Sequence, residues 1–242
     1  MKPLPSLGCR REDLDTPCLI LDIEALDRNI ARMQSFCRQH QIAWRPHAKS
    51  YKSSAVVRRV LDAGAIGITC AKLGEAEVFA ALGVSDILIT GPIAGSTKLA
   101  RLQSLRQIAD PIVVVDHADH VRMLGEAGFQ ETAPLRVLIE IDLGMQRCGV
   151  LPGSTAVPLA REIARHPGLA FAGIMGWEGH LLTIEDPAEK RQRIAEAIDG
   201  LATTRQALIA SGIPCPIVSA GGTGSFPITG TLGVATELEA GG

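Results

Sequence analysis

Three basic residues occupy every second position in the stretch RPHAKSYKS, which covers residues 45–53. If this stretch is a strand, the side chains of Arg45, His47 and Lys49 all point to one face. The opposite face carries tryptophan, proline and alanine, which suit contact with a helix, so the basic face should point into the interior. Three buried cations are costly unless they are paired or deprotonated.

Lys49 is the residue of this cluster best suited to covalent chemistry. Positive neighbours in a site of low dielectric constant lower the pKa of a lysine, and a neutral amine can form a Schiff base with an aldehyde. Lys52 has the opposite strand parity and lies nearer to solvent, so Lys49 is the better candidate. The alternative is a strand end whose basic residues are simply exposed to water.

A second candidate site is the glycine cluster SAGGTGS, which directly follows an apolar strand pattern. Glycines let successive backbone N–H groups turn toward an anion, and the neighbouring hydroxyls can add donors. This composition favours phosphate binding, with a plain flexible turn as the alternative, and the absence of G-K-[ST] excludes a Walker loop. The residues concerned are Ser219, Gly221, Gly222, Thr223 and Gly224.

An arginine and a histidine follow two other strand patterns. Arg147 lies between glycines in DLGMQRCG, where a short loop would bring its guanidinium over the site to stabilise a phenolate or a carboxylate. An ion pair with Asp142 is the alternative. His180 in GWEGH could act as a general acid–base or serve only as polar lining. No H-E-x-x-H motif or Cys/His cluster predicts a metal site in this chain.

These residues must be positioned by eight short apolar runs that alternate with seven amphipathic stretches. Near-continuous apolar strands alternating with helices indicate a parallel sheet covered by helices, and eight such units favour a (β/α)8 TIM barrel over an open doubly wound sheet. Functional groups would then gather at the carboxyl ends of the strands. The predicted strands are 18–22, 43–49, 65–71, 86–90, 111–116, 136–142, 169–177 and 216–222, and the predicted helices are 24–40, 54–63, 73–82, 97–108, 118–127, 154–166 and 187–211.

The composition is that of an ordinary globular domain, with 242 residues, 46% hydrophobic residues and a net charge of −2. It gives no reason to expect nucleic acid or a membrane as a partner, and no apolar run is long enough to span a bilayer. The N-terminal residues show no secretory signal. The six cysteines form no C-x-x-C pair, so we expect reduced thiols and a cytoplasmic protein.

Four segments together resemble the fold-type III enzymes that use pyridoxal 5′-phosphate (PLP), in the branch of D-threonine aldolase and D-serine dehydratase. The segments are TPCLILDIEALDRNIARM, RPHAKSYK, DLGMQRCGV and SAGGTGS with the later TELEAG. The resemblance implies an alanine racemase-like barrel in which Lys49 binds PLP covalently and Arg147 contacts the phenolic oxygen of the cofactor. It also implies that Gly221, Gly222, Thr223 and Gly224 bind the phosphate.

The resemblance implies further cofactor contacts and one departure. His47 and Ser219 are expected beside the cofactor, and Trp177 stands where relatives often have a tyrosine, so its indole could flank the ring or donate one N–H. Relatives continue into a C-terminal β-domain that carries a divalent metal, Zn or Mn, and forms a homodimer. We therefore interpret residues 1–242 as one barrel domain, with the barrel at approximately 16–230 and a lead-in to the absent domain at 231–242.

The implied function is that of a lyase acting on D-3-hydroxy amino acids, similar to D-threonine aldolase, which yields glycine and an aldehyde. In that reaction His180 is a candidate base for the substrate hydroxyl. A dehydratase of D-serine or D-threo-3-hydroxyaspartate is one alternative, with Lys49 as the base at Cα. The other two alternatives are a barrel-only protein that carries PLP and keeps its supply constant, and an amino-acid racemase.

Overall fold

Strands and helices alternate throughout residues 8–242, the part of the chain that this computed structural model describes. The strands are β1 (Ala43–Trp44), β2 (Ile68–Cys70), β3 (Asp86–Ile89), β4 (Asp110–Val115), β5 (Leu135–Ile141), β6 (Leu169–Gly176), β7 (Ile217–Ala220) and β8 (Glu237–Leu238). The α-helices are α1 (Ile23–His40), α2 (Ser54–Asp62), α3 (Leu73–Ala80), α4 (Ser96–Leu105), α5 (Ala118–Gly125), α6 (Ala156–Ala164), α7 (Pro187–Ala210) and α8 (Phe226–Thr229).

The eight strands form one parallel sheet whose two ends meet at β1. The order is β1-β8-β7-β6-β5-β4-β3-β2, and the chain just beyond β1 continues to pair on both sides. Toward β8, the N–H of Arg45 donates to the carbonyl of Leu238 at 2.9 Å. Toward β2, the N–H of Ala48 donates to Thr69 at 2.7 Å, and the N–H of Thr69 donates to Pro46 at 2.9 Å. The sheet is therefore a closed (β/α)8 barrel, which confirms the predicted fold class.

Side chains of successive strand residues separate into two apolar layers. On β4, Ile112 and Val114 point into the barrel and pack with Leu88, Leu138 and Met175. The residues between them belong to the larger core that lies between the sheet and the helices. Because consecutive strand residues face opposite sides, strands that are covered on both faces become apolar throughout.

A charged cluster replaces apolar packing where β3 and β8 begin. Arg45 is only 2% exposed, yet its Nε donates to Oε1 of Glu237 at 3.0 Å and its Nη1 donates to Oδ1 of Asp86 at 2.7 Å. Arg136 also bonds Asp86, at 2.8 Å. Asp86 and Glu237 are the first residues of their strands, so the Arg45 side chain points toward the amino-terminal end of the barrel.

Two of the predicted strand positions need correction. The predicted strand at 18–22 was wrong, because these residues lie outside the sheet and Leu19 is fully exposed at 105%. The eighth strand is instead Glu237–Leu238, within the segment interpreted as a lead-in. The sheet therefore runs from residue 43 to residue 238. An apolar run becomes a strand only where a partner strand supplies backbone hydrogen bonds. The backbone hydrogen bond made by residues 18–22, from the N–H of Leu26 to the carbonyl of Asp22, belongs to the start of helix α1.

Two further predictions concern the chain as a whole. No helix within residues 8–242 is long and apolar enough to cross a membrane. All six cysteines are free thiols, as expected for a reduced protein, and Cys37, Cys70 and Cys215 are buried. Burial raises the pKa of each of these three thiols, to about 11 for Cys37 and Cys215 and to about 12 for Cys70, so they behave as small apolar residues.

Candidate active site

The carboxyl ends of six strands surround a cavity of about 220 Å³ at the mouth of the barrel. Lys49 follows β1, Arg147 follows β5, Trp177 follows β6, and Gly222, Thr223 and Gly224 follow β7. The predicted lysine, arginine, tryptophan and glycine loop thus line one cavity, although they are up to 175 residues apart in the chain. His47 lines its floor together with two carboxylates that the site prediction omitted, Glu140 and Glu239.

Lys49 is held against the indole of Trp177. Its Nζ lies 4.9 Å from the ring centroid, which is within the range of a cation–π contact. The side chain reaches the open cavity, but partial burial lowers its pKa, and the nearby guanidinium of Arg147 lowers it further. The carboxylates of Glu239 and Glu75 oppose this shift. The net shift of the pKa is downward, so the Lys49 ammonium group loses its proton more easily than that of an exposed lysine.

The interpretation of RPHAKSYKS as three cations around one site was only partly right. Arg45 faces inward as predicted, but it is neutralised by Glu237 and Asp86 and does not line the cavity. His47 does line the cavity, but burial and the nearby charge of Lys49 together lower its pKa to about 4, so it is neutral near pH 7. Lys49 is therefore the member of this trio that can bring a positive charge to the cavity.

Lys52 is separated from the cavity, as its parity predicts. Its Nζ forms an ion pair with Oε1 of Glu75 at 3.2 Å, and its side chain is largely exposed. Glu75 also accepts a hydrogen bond from the backbone N–H of Ala71. Lys52 thus pairs with a carboxylate on α3, whereas Lys49 faces the cavity.

Arg147 lies on the other side of the same indole. Its Cζ is 5.4 Å from the ring centroid of Trp177, so the tryptophan contacts both cations. The alternative of an ion pair with Asp142 is not found. Oδ1 of Asp142 instead accepts the backbone N–H groups of Gly144 at 2.9 Å and Gln146 at 3.0 Å, which orders the loop that carries Arg147.

The glycine loop presents unpaired backbone donors to the cavity. The N–H groups of Thr223 and Gly224 have no hydrogen-bond acceptor within residues 8–242, whereas the N–H of Gly222 donates to Oγ of Ser225 at 3.1 Å. Gly221 has φ +78°, and a Cβ there would lie 2.8 Å from Cδ2 of Leu238, so the turn requires glycine. Two successive free N–H groups are the arrangement that binds phosphate oxygens.

Ser219 and His180 lie outside the cavity lining. The hydroxyl of Ser219 is buried and donates to Oε1 of Glu239 at 3.0 Å. His180 is exposed on a short 3-10 turn, Gly179–Leu181. Its Nε2 would be 2.9 Å from a Cβ on Gly144, so it packs against the loop that carries Arg147.

Glu140 and Glu239 carry unusual protonation equilibria. Glu140, on β5, is 7% exposed, and burial raises its pKa to about 7 although the charge of Arg147 opposes this shift. Burial likewise raises the pKa of Glu239 to about 7, against the hydrogen bond from Ser219. Carboxyl groups that titrate near neutral pH in a cleft are typical of functional sites. The signals in the sequence were the alternations E-I-D at the end of β5 and E-L-E at β8.

A larger groove of about 600 Å³ adjoins this cavity on the outside of the barrel. Its lining is mostly apolar and comes from α1, β1, α2 and the start of α8. It shares Ser50, Thr223 and Gly241 with the cavity but lacks the Lys49 amine and the Arg147 guanidinium. The smaller cavity is therefore the candidate active site. No group of three His, Cys, Asp or Glu residues within residues 8–242 could hold a metal ion.

A closed (β/α)8 barrel with a lysine and a glycine-rich loop at its mouth is typical of one class of cofactor-binding barrels. The chain belongs to the alanine racemase N-terminal domain family, whose model matches residues 21–235. This result confirms the family resemblance of the four sequence segments.

Several relatives with described activities are lyases of D-amino acids, and others are alanine racemases. The chain is 37% identical over 228 residues to a D-threonine aldolase of an Arthrobacter species, covering 94% of this chain and 60% of that protein. It is 35% identical to the D-threo-3-hydroxyaspartate dehydratase of Delftia sp. strain HT23, with the same two coverages. The crystal structure of D-threonine aldolase from Filomicrobium marinum superposes with a TM-score of 0.91 at 41% identity, over 95% of this chain and 62% of that one.

The chain therefore spans about three fifths of the length of these relatives. The part that matches is the barrel together with the cavity at its mouth. The donors in that cavity fit PLP: an amine for the aldehyde, a guanidinium for the phenolic oxygen, and the free N–H groups of Thr223 and Gly224 for the phosphate.

Proposed function

We propose that this chain is the PLP-binding barrel of a lyase that cleaves D-3-hydroxy amino acids in the manner of a D-threonine aldolase, giving glycine and an aldehyde. The observation that carries this proposal is the cavity in which the Lys49 amine and the unpaired N–H groups of Thr223 and Gly224 face the same space. Both types of lyase relative support the substrate class. When bound, PLP supplies an electron-accepting ring for bond cleavage at Cα.

The residues of the cavity have distinct tasks in this proposal. The Lys49 amine holds the aldehyde carbon of the cofactor, and its lowered pKa keeps it nucleophilic. The guanidinium of Arg147 holds the phenolic oxygen, and the indole of Trp177 keeps both cations in place. Neutral His47 adds no charge beside the amine.

The aldolase reaction also needs a base for the proton of the substrate 3-hydroxyl. His180 was the sequence-based candidate, but it does not line the cavity. Glu140 lines the cavity and has a pKa of about 7, which suits proton transfer near neutral pH. Glu140 is therefore better placed than His180 to take this proton.

A dehydratase is the second candidate function, and the Delftia relative favours it. In that reaction Lys49 would take the proton from Cα, and the 3-hydroxyl would leave. We further propose a homodimer, a cytoplasmic location and a divalent metal, Zn or Mn, as properties of the whole protein, on the basis of the family resemblance. The tests that follow also distinguish the two remaining alternatives, a PLP carrier and a racemase.

The experiment is addition of PLP to the purified protein and measurement of the visible absorbance of the bound cofactor. We expect a band that borohydride bleaches in the wild type and in Lys52→Ala, since Lys52 pairs with Glu75 outside the cavity. The band should be lost in Lys49→Ala. Persistence of the bleachable band in Lys49→Ala would refute the choice of lysine.

The reaction products then distinguish the proposed activities. Glycine and an aldehyde from D-threonine indicate the aldolase, and ammonia and a keto acid from D-serine or D-threo-3-hydroxyaspartate indicate the dehydratase. Formation of the opposite enantiomer of the substrate indicates the racemase. Tight PLP binding with none of these products would favour the carrier.

A further inference from the structure

One carboxyl group beside the cavity is completely buried and has no task in the proposed reaction. Glu178 directly follows Trp177, and its side chain is 0% exposed. Its Oε1 accepts a hydrogen bond of 2.7 Å from Oγ1 of Thr229, and its Oε2 has no hydrogen-bond partner within residues 8–242. Burial of a carboxyl group with one oxygen unpaired is costly, so its position calls for a reason beyond the packing of the core.

Thr229 links this carboxyl group to the glycine loop. It is the last residue of α8, the short helix that follows the loop, and it is buried as well. Its backbone N–H donates to the carbonyl of Ser225 at 3.0 Å, and Oγ of Ser225 accepts the N–H of Gly222 at 3.1 Å. Its Cγ2 would be 3.2 Å from a Cβ on Gly221. The residue that Glu178 holds therefore contacts both the first and the last residue of the loop.

The segment 177–182, which carries Glu178, packs against the same loop. A Cβ on Gly224 would lie 3.1 Å from Cδ2 of Leu182, so no space is left between the loop and this segment. Such apolar contacts have no preferred direction. The hydrogen bond from Thr229 to Glu178 is the one hydrogen bond that joins this segment to the glycine loop and α8 in the described part of the chain. It therefore fixes how the two segments are oriented.

Phosphate binding depends on this orientation. The free N–H groups of Thr223 and Gly224 bind one phosphate only if both point to the same place in the cavity. A loop that must become ordered when its ligand binds loses affinity, whereas a loop that is already held in place does not. Neither Glu178 nor Thr229 lines the cavity, so this pair would act on the cofactor only through the loop.

We propose that Glu178 is a positioning residue for the cofactor phosphate, because its Oε1 holds Thr229 and thereby keeps the N–H groups of the glycine loop aligned. This inference rests on the proposed function and adds a residue that follows the neighbouring strand β6. Glu178 touches neither the cofactor nor the substrate. Its effect is therefore confined to the phosphate and leaves the contacts of Lys49 and Arg147 unchanged.

The test compares PLP with pyridoxal, which has the same aldehyde and phenolic oxygen but lacks the phosphate. Calorimetric titration at one pH gives the dissociation constants of both compounds for the wild type and for Thr229→Val, which keeps the shape of the side chain and removes its hydroxyl. The preference for PLP over pyridoxal should fall by about fivefold, the net effect of one hydrogen bond. Effects of the substitution on overall stability or on the Lys49 amine act on both compounds and cancel in this ratio.

Two matched variants separate the hydrogen bond from other effects. Glu178→Gln retains an oxygen that accepts from Thr229 and should keep the preference of the wild type. Thr204→Val removes a hydroxyl that is equally buried but bonds Gly153 and Gly200 away from the cavity, and it should also keep the preference.

Thr229→Val leaves the buried carboxyl group without a donor, so a second variant covers the case in which it fails to fold. Glu178→Leu/Thr229→Val removes both polar groups, which restores stability, and should show the same fall in preference. An unchanged preference in the folded variant that lacks the Thr229 hydroxyl, or an equal fall in Thr204→Val or Glu178→Gln, overturns this inference while the proposed function stands. A wild type that binds neither compound overturns both.

Discussion

Replacement of Arg45 by methionine would test whether the buried arginine serves the barrel rather than the cofactor site. Methionine has a similar length and no charge, so the variant removes the ion pairs while keeping most of the apolar stem. Arg45 is 2% exposed and Glu237 is 3% exposed, and two hydrogen bonds of 3.0 and 3.3 Å join them. Arg45→Met would leave the Glu237 carboxylate buried without a cation.

The size of the effect follows from the burial of each partner. An unpaired buried charge costs about 3–5 kcal/mol of the free energy of unfolding. The Asp86 contact adds little to this, because that side chain is 34% exposed and retains Arg136 at 2.8 Å. For a chain of this length the loss corresponds to a fall in melting temperature of roughly 10 °C.

Thermal unfolding followed by circular dichroism measures this effect. Arg59→Met is the matched control, because Arg59 forms an exposed ion pair with Asp27 and its loss should cost less than about 1 kcal/mol. The double variant Arg45→Met/Glu237→Leu removes both charges and should recover most of the stability. It should also retain PLP binding by Lys49. A melting temperature of Arg45→Met equal to that of the wild type would refute the reasoning.

Two other predictions concern the cavity. Burial raises the pKa of Glu140 from 4.5 to about 7. The stabilising contribution of its protonated carboxyl group is therefore complete below pH 4.5 and is lost as the pH rises through 7. Glu140→Gln should remove this pH-dependent loss of about 3 kcal/mol, which is measured as the free energy of unfolding against pH. A pH dependence identical to that of the wild type would contradict the assigned burial. Gly221→Ala should destabilise the fold by about 1–2 kcal/mol at φ +78° and weaken PLP binding, because the new Cβ meets Leu238. Gly233→Ala, at φ +70° with open space around it, should show the stability loss alone, and equal PLP affinities of the two variants would count against the phosphate loop.

The fold class could be predicted because strands covered on both faces and helices covered on one face leave different patterns. Helix α1, for example, was predicted at 24–40 and spans Ile23–His40. The patterns do not say which strand is whose neighbour. Residues 18–22 are as apolar as a barrel strand, yet they lie outside the sheet. Strand β8 has only two residues, too few for any periodicity.

The sequence predicted most of the residues that line the candidate site, but not which of the basic residues would be neutral or paired. Strand parity correctly placed Arg45 and His47 in the interior. The partner that neutralises Arg45 is 192 residues away, and no local pattern connects the two positions. Glu239 was overlooked for the same reason, because its carboxyl group is held by the hydroxyl of Ser219, a residue of the neighbouring strand.

The position of β1 between β2 and β8 has a consequence for how the protein is made. Barrel closure joins residues that are up to 196 positions apart, a length of chain that a ribosome needs about 10–40 s to synthesise. Until Glu237 and Glu239 emerge, one edge of β1 has no partner, and the guanidinium of Arg45 lacks the Glu237 carboxylate. Such an edge can pair with other nascent chains, so the risk of such pairing persists until the last strand is synthesised. Strand β8, which closes the barrel, and Glu239, which lines the cavity, are thus synthesised together and after the other seven strands.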